Sequence, residues 1–156
     1  MTQYRIGRRE VIFAAIAFTI GSTAGAAQEP LIHVVKGRGC ECCDEWVDYL
    51  RNQGFTVTEE VSMGTLLIRF KTSQGIPAKA FSCHTGIVDG YALEGHVPAA
   101  DIRRLLDERP DAVGLAVPGM PYGSPGMGSE DSRDAYDVLL VGRDGSLQVY
   151  KSYPAE

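Results

Sequence analysis

The segment from Leu31 to Trp46 constrains what this chain can fold into more than any other. An apolar, strand-like run, Leu31 to Val35, leads through Lys36-Gly37-Arg38-Gly39 into Cys40-Glu41-Cys42-Cys43-Asp44-Glu45-Trp46. Trp46, Val47 and Leu50 then recur at the spacing of one helical face. The stretch predicts a strand, a glycine turn and a helix that opens at the cysteines. Three thiols at that point sit over free backbone N–H groups and the positive end of the helix dipole, which favour thiolate. Thiolate is both a soft-metal ligand and a redox nucleophile. Cys40 and Cys43 form a C-x-x-C pair one helical turn apart, and Cys42 adds a further soft donor. The plainer alternative is a structural disulfide with one spare thiol. Against it, three cysteines within four residues cannot all pair locally, and buried cysteines are usually dispersed.

The chain that follows completes an α/β pattern. Asn52-Gln53-Gly54 stops the helix, with Gly54 in a natural position just past its end. Phe55 to Val61 alternates apolar and polar residues and reads as a second strand, so a right-handed, parallel βαβ unit is expected. Thr65 to Thr72 fits helix or strand; it is read as a short helix because a parallel unit needs a crossover there, closed by Gly75-Ile76-Pro77. Phe81 to Leu93 reads as two strands joined at Asp89-Gly90, with the fourth cysteine, Cys83, at the entrance to the first. Pro98 opens a helix whose apolar stripe is Ile102, Leu105 and Leu106, with Pro110 beyond its end. His96, just ahead, reads as a capping or packing residue. The order β-α-β-α-β-β-α is that of a thioredoxin-like mixed sheet flanked by helices, with the cysteines where that architecture carries its redox motif. Leu115 to Arg133 is rich in turn formers and has no periodicity, which predicts a long functional or disordered loop. Its large soft side chains are Met120 and Met127. Tyr136 to Val141 and Ser146 to Tyr150 read as a C-terminal β-hairpin.

Residues 1–26 are set apart as an export signal. Arg5, Arg8 and Arg9 form a basic start, Val11 to Ile20 a short apolar core, and Ala24-Gly25-Ala26 an A-x-A cleavage site. Arg8-Arg9-Glu10-Val11-Ile12 is a loose match to a twin-arginine signal. The apolar run is too short to span a bilayer comfortably; an uncleaved membrane anchor is the plainer alternative, and once the signal is removed no stable membrane association is expected. The domain is then residues 27–156. Of the 15 Lys+Arg and 20 Asp+Glu in the chain, removing the signal leaves 12 and 19, a net charge of about −7. Such a chain lacks the clustered positive surface that nucleic acid requires. Glu41, Asp44, Glu45 and Asp48 read as the solvated face of the first helix; an entry funnel for cations is the sharper alternative.

Four motifs in order, C-x-C-C-x-x-W, S-C-H-T, G-Y-x-x-E-G-H-V-P-x-x-D-I-R-R-L-L and G-L-A-V-P-G-M-P-x-G-S-P-G-M, resemble the CopG-type periplasmic family. Its members are thioredoxin-like and associated with bacterial copper and heavy-metal resistance. The resemblance runs from about Ile32 to Tyr150. It implies copper(I) held on Cys40, Cys42, Cys43 and Cys83, as one ion or a multinuclear cluster, with His84, Met120 and Met127 nearby. His84 best fits a hydrogen-bonding partner of a ligand. Glu41 departs from the family, which commonly has glycine there. The residues agree with the resemblance, because four thiolates and two thioethers with few hard competitors select a soft ion. Zinc is the weaker reading, since the spacing lacks paired C-x₂-C knuckles, and no ferredoxin spacing is present. The expected partners are the metal ion and other periplasmic copper-handling proteins. Two functions compete with copper binding: a thiol–disulfide oxidoreductase with Cys40 as nucleophile and Cys43 resolving, and a structural zinc module.

Overall fold

The computed structural model describes residues 30–156, so the export signal read at residues 1–26 lies outside the described residues. Strand β1 (Leu31–Lys36) buries Ile32, Val34 and Val35. Helix α1 (Glu41–Asn52) buries Cys43, Trp46, Val47 and Leu50 along one stripe. Strand β2 (Thr56–Val61) pairs parallel with β1, from Leu31↔Thr56 to Lys36↔Val61, as a βαβ unit requires. The ambiguous segment is helical, α2 (Thr65–Ser73), and is followed by a single 3₁₀ turn at Ala78–Ala80.

Strands β3 (His84–Val88) and β4 (Tyr91–Glu94) form the expected hairpin. Its two central residues, Asp89 and Gly90, are both left-handed, with φ of 48° and 84°, which suits a tight two-residue turn. Helix α3 (Ala99–Glu108) follows Pro98. The run from Leu115, read as irregular, instead begins inside a strand, β5 (Gly114–Ala116). It pairs parallel with β4 and antiparallel with β6 (Tyr136–Val141), so two neighbours supply the order that three residues cannot encode by periodicity. Strand β7 (Leu147–Tyr153) closes the hairpin and runs three residues beyond the end read from sequence.

The seven strands lie in the order β2-β1-β3-β4-β5-β6-β7, and the sheet is mixed, with helices on both faces. Helices α1 and α3 share one core with Ile32, Val34, Leu93, Leu115 and Val138. On the other face Ile76 and Ala80 pack with Ala92, Ala116 and Val141. Trp46 is fully buried in the first core, which contributes roughly 4–6 kcal/mol of transfer free energy. Among the described residues no helix is long and apolar enough to cross a membrane.

The register of β1 with β3 sets the site. Lys36 lies opposite His84, so the end of β1 and the entrance to β3 are level. The turn that delivers Cys40 to α1 therefore opens beside Cys83.

Candidate metal centre

Cys40 is the cap of α1, and its carbonyl accepts the N–H groups of Cys43 and Asp44 at 3.1 and 3.2 Å. Among the described residues no side chain caps this helix end, so its free N–H groups and positive dipole end face the cysteine cluster. Cys40 and Cys42 are half-buried and Cys43 is buried. Cys40 and Cys43 are joined in a disulfide; Cys42 and Cys83 are free. The Cys42 sulfur stands 3.7 Å from that of Cys40 and 3.9 Å from that of Cys83. All four sulfurs lie within 4.8 Å of one another.

Cys83 also joins a second group. His84 Nδ1 and His96 Nε2 each lie 3.2 Å from its sulfur, and both rings are buried. His96 is thus neither a cap nor mere packing, as its place before Pro98 suggests; the α3 cap is Pro98 and carries no side-chain cap bond. The carbonyl of Pro125 lies 2.8 Å from His96 Nδ1. A carbonyl only accepts, so Nδ1 carries the proton and Nε2 presents its lone pair to Cys83. Burial lowers the pKa of His96, which keeps that neutral form.

The hairpin register, and not the local spacing of residues, is what brings His96 to Cys83. Thr85 faces Glu94, and Gly95 N–H donates to the His84 carbonyl at 3.0 Å. Counting outward from the Asp89-Gly90 turn puts His96 opposite Cys83.

His84 packs at a tilt against Trp46 with centroids 4.4 Å apart and meets His96 edge-on at 4.9 Å. Burial first, then His96 and Lys71, push its pKa well below the ordinary histidine value, so the ring is neutral. With Nδ1 turned to Cys83, its Nε2 is buried with no hydrogen-bond partner among the described residues. Trp46, whose Nε1 donates to the Val97 carbonyl at 3.0 Å, is a core residue as expected and forms the back wall of the site.

Cys83 does not share the thiolate-favouring environment read at the helix end. Burial, then the neighbouring Cys42, push its thiol up to about 11. In the metal-free site its proton is therefore held at neutral pH, facing an imidazole acceptor.

The long loop reaches this site through its backbone. Besides the Pro125 carbonyl on His96, Gly126 packs on the first turns of α1: a Cβ there would stand 2.6 Å from Trp46 N and 3.0 Å from the Cys42 carbonyl. Gly119 N–H donates to the Phe81 carbonyl at 3.4 Å, and the Ser82 hydroxyl donates to the Gly119 carbonyl. Met120 is 57% exposed, and Met127 is half-buried. Glu41, Asp44, Glu45 and Asp48 are all exposed, as read. Asp44 pairs with the buried Lys36, which also pairs with Glu59.

The arrangement offers four sulfurs within 4.8 Å of one another and, beside Cys83, an imidazole nitrogen whose ring is held by the Pro125 carbonyl. Reduced, it is a multidentate soft-donor site; with Cys40 and Cys43 bonded, two of its sulfurs are withheld.

A family model described as "Protein of unknown function, DUF411" matches residues 80–127, which carry Cys83, His84, His96 and the methionine loop. No curated protein matches the chain. A solved structure of copper resistance protein CopG, form 1, is 47% identical, with a TM-score of 0.75, over 81% of this chain and 100% of that one. Form 2 is 46% identical over 81% and 99%, with the same TM-score. By that identity and coverage, the chain belongs to the CopG family of copper resistance proteins.

Proposed function

We propose that the protein binds copper(I) as cargo in the periplasm, within a copper-resistance pathway. The ion, or a small cluster of ions, sits on the sulfurs of Cys40, Cys42, Cys43 and Cys83. His96 Nε2 completes the set from the Cys83 side, and His84 serves as hydrogen-bonding partner of Cys83. Met120 and Met127 supply thioethers from the loop. The observation that carries this reading is the convergence of four cysteine sulfurs within 4.8 Å of one another. Thiolate sulfur selects copper(I) over harder ions, and the names of the solved relatives point the same way. Other periplasmic copper-handling proteins are the partners this reading implies. Anaerobic titration of the reduced protein with copper(I) against a competing chelator, with elemental analysis, tests it; a protein that surrenders all copper to the chelator would overturn it. Export is tested by the intact mass of protein from its native host. A chain beginning near Ala27 is expected, and retention of residues 1–26 would contradict it.

One observation favours a second reading. The Cys40–Cys43 disulfide is the form a thiol–disulfide oxidoreductase would present to a substrate thiol. Attack by a substrate thiolate would give a mixed disulfide and release one protein thiolate; the second substrate thiol would then release the other. Cys42, 3.7 Å from Cys40, stands ready to intercept that mixed disulfide. Rapid exchange with a dithiol peptide, without metal, would support this alternative over copper binding.

A further inference from the structure

A polar cluster beside Cys83 plays no part in the ligand set. Glu94 is fully buried and Lys71 is 3% exposed, with Lys71 Nζ 2.6 Å from Glu94 Oε1. The same Oε1 accepts the backbone N–H of Ser82 at 2.6 Å. Oε2 accepts the hydroxyl of Thr85, also at 2.6 Å, and Lys71 donates to that hydroxyl at 3.0 Å. Successive residues of a strand point to opposite faces. Thr85 and Glu94 therefore lie on the α2 side of the sheet, while His84 faces α1.

Replacing a buried ion pair by well-packed apolar residues is often neutral or stabilising. Stability alone therefore does not account for this pair, but its placement does. Ser82 and Thr85 bracket Cys83 and His84, and one carboxylate holds both ends of that bracket. Gly95 lets the bracket close: a Cβ there would stand 2.5 Å from Ser82 Oγ and 2.6 Å from the Val117 carbonyl. The Ser82 hydroxyl, donating to the Gly119 carbonyl, then ties the bracket to the methionine loop.

We propose that Glu94, held by Lys71, is a positioning residue that fixes Cys83 for metal by clamping the Ser82 amide and the Thr85 hydroxyl on either side of it. The proposal rests on the copper(I) reading above and assigns a role to two residues that touch none of its ligands. Without the clamp the segment before β3 can swing outward and carry the Cys83 sulfur away from Cys42, which it approaches to 3.9 Å. A ligand held in place loses less freedom on binding than one that must be recruited.

Two double variants test this, and neither leaves a charge buried. Lys71→Met/Glu94→Gln keeps a side-chain oxygen for the Ser82 amide; Lys71→Met/Glu94→Leu removes it. Each protein is reduced, stripped of metal and checked for fold by circular dichroism. Two quantities are then read: the alkylation rate of Cys83 by iodoacetamide, with Cys42 as internal standard, and copper(I) affinity against a chelator. The glutamine variant is expected to stay within about threefold of the parent on both. The leucine variant is expected to expose Cys83 to about tenfold faster alkylation and to bind copper(I) roughly 10–100-fold more weakly, the range found for partners that orient a ligand. Equal behaviour of the two variants would overturn the clamp. The alkylation readout needs no metal, so a parent protein that binds no copper, beside a leucine variant with a freed Cys83, would discard the copper reading and keep the clamp. Should the leucine variant not fold, amide exchange at Ser82 in the parent decides. Slowing by about 100-fold or more is expected for an N–H held by the carboxylate, and an unprotected amide would overturn the proposal.

Discussion

Replacing Gly126 by alanine should disturb the metal site from a residue that offers it no side chain. Gly126 has a φ of 80°, and a Cβ there would stand 2.6 Å from the amide nitrogen of Trp46 and 3.0 Å from the Cys42 carbonyl. Both are backbone atoms of α1 and cannot step aside, so the loop must lift by about 0.8 Å to reach ordinary contact at 3.4 Å. Pro125, one residue earlier, would then leave hydrogen-bonding range of His96 Nδ1, from 2.8 Å to about 3.6 Å. Alanine in the left-handed region costs about 1–2 kcal/mol, and the lost hydrogen bond about 1 kcal/mol more. The sum, roughly 2–3 kcal/mol, corresponds to a fall in Tm on the order of 10 °C for a domain of this size. Freed of its tautomer-setting partner, His96 should lower copper(I) affinity by about 10–100-fold. Thermal melts of the reduced, metal-free protein and chelator competition measure the two effects. A Tm within about 2 °C of the parent and an unchanged affinity would refute the reasoning, because strain of this kind is not absorbed silently in a packed site.

Cys83→Ser removes the sulfur shared by the cysteine cluster and the two histidines; it should lower copper stoichiometry or affinity while leaving the circular dichroism of the reduced protein unchanged, and wild-type binding would count against a shared site. Met120→Leu with Met127→Leu keeps volume and apolarity, so it should weaken copper(I) binding more than folding and abolish copper-dependent amide protection across residues 118–128; an unchanged affinity would leave the loop acting through its backbone alone. Because burial lifts the Cys83 thiol from 9.0 to about 11, the folded, metal-free protein holds that proton more tightly than the unfolded chain. Its contribution to stability is present below pH 9.0 and is lost as pH rises toward about 11, which urea midpoints across that range would show. Copper(I) affinity should rise with pH up to the same limit, since the ion must displace the proton; a flat profile would contradict ligation by Cys83.

The strand-turn-helix around the cysteines was legible because Ile32, Val34, Trp46, Val47 and Leu50 each follow a simple period and meet in one core. The hairpin at Asp89-Gly90 was equally plain, its turn residues both needing the left-handed conformation they adopt. Strand β5 escaped because three residues carry no period and its order comes from β4 and β6 on either side. His96 escaped for a different reason. Its neighbours announce the start of α3, and only the hairpin register, followed past Glu94, brings it opposite Cys83. The loop's backbone contacts left no side-chain trace, since a carbonyl of Pro125 and the missing Cβ of Gly126 make them. Lys71 and Glu94 were hidden likewise: a lysine in a short helix reads as surface, and its burial follows from a carboxylate on a strand 23 positions away.

Copper(I) titration of the fully reduced protein under anaerobic conditions, against a competing chelator and with Cys42 and Cys83 alkylation followed in parallel, bears most directly on the function proposed. At least one copper per chain retained against the chelator is expected, with both cysteines protected from alkylation in proportion to the copper bound. Loss of all copper to the chelator, or copper retained while Cys42 and Cys83 remain freely alkylated, would contradict a cargo site built on these sulfurs.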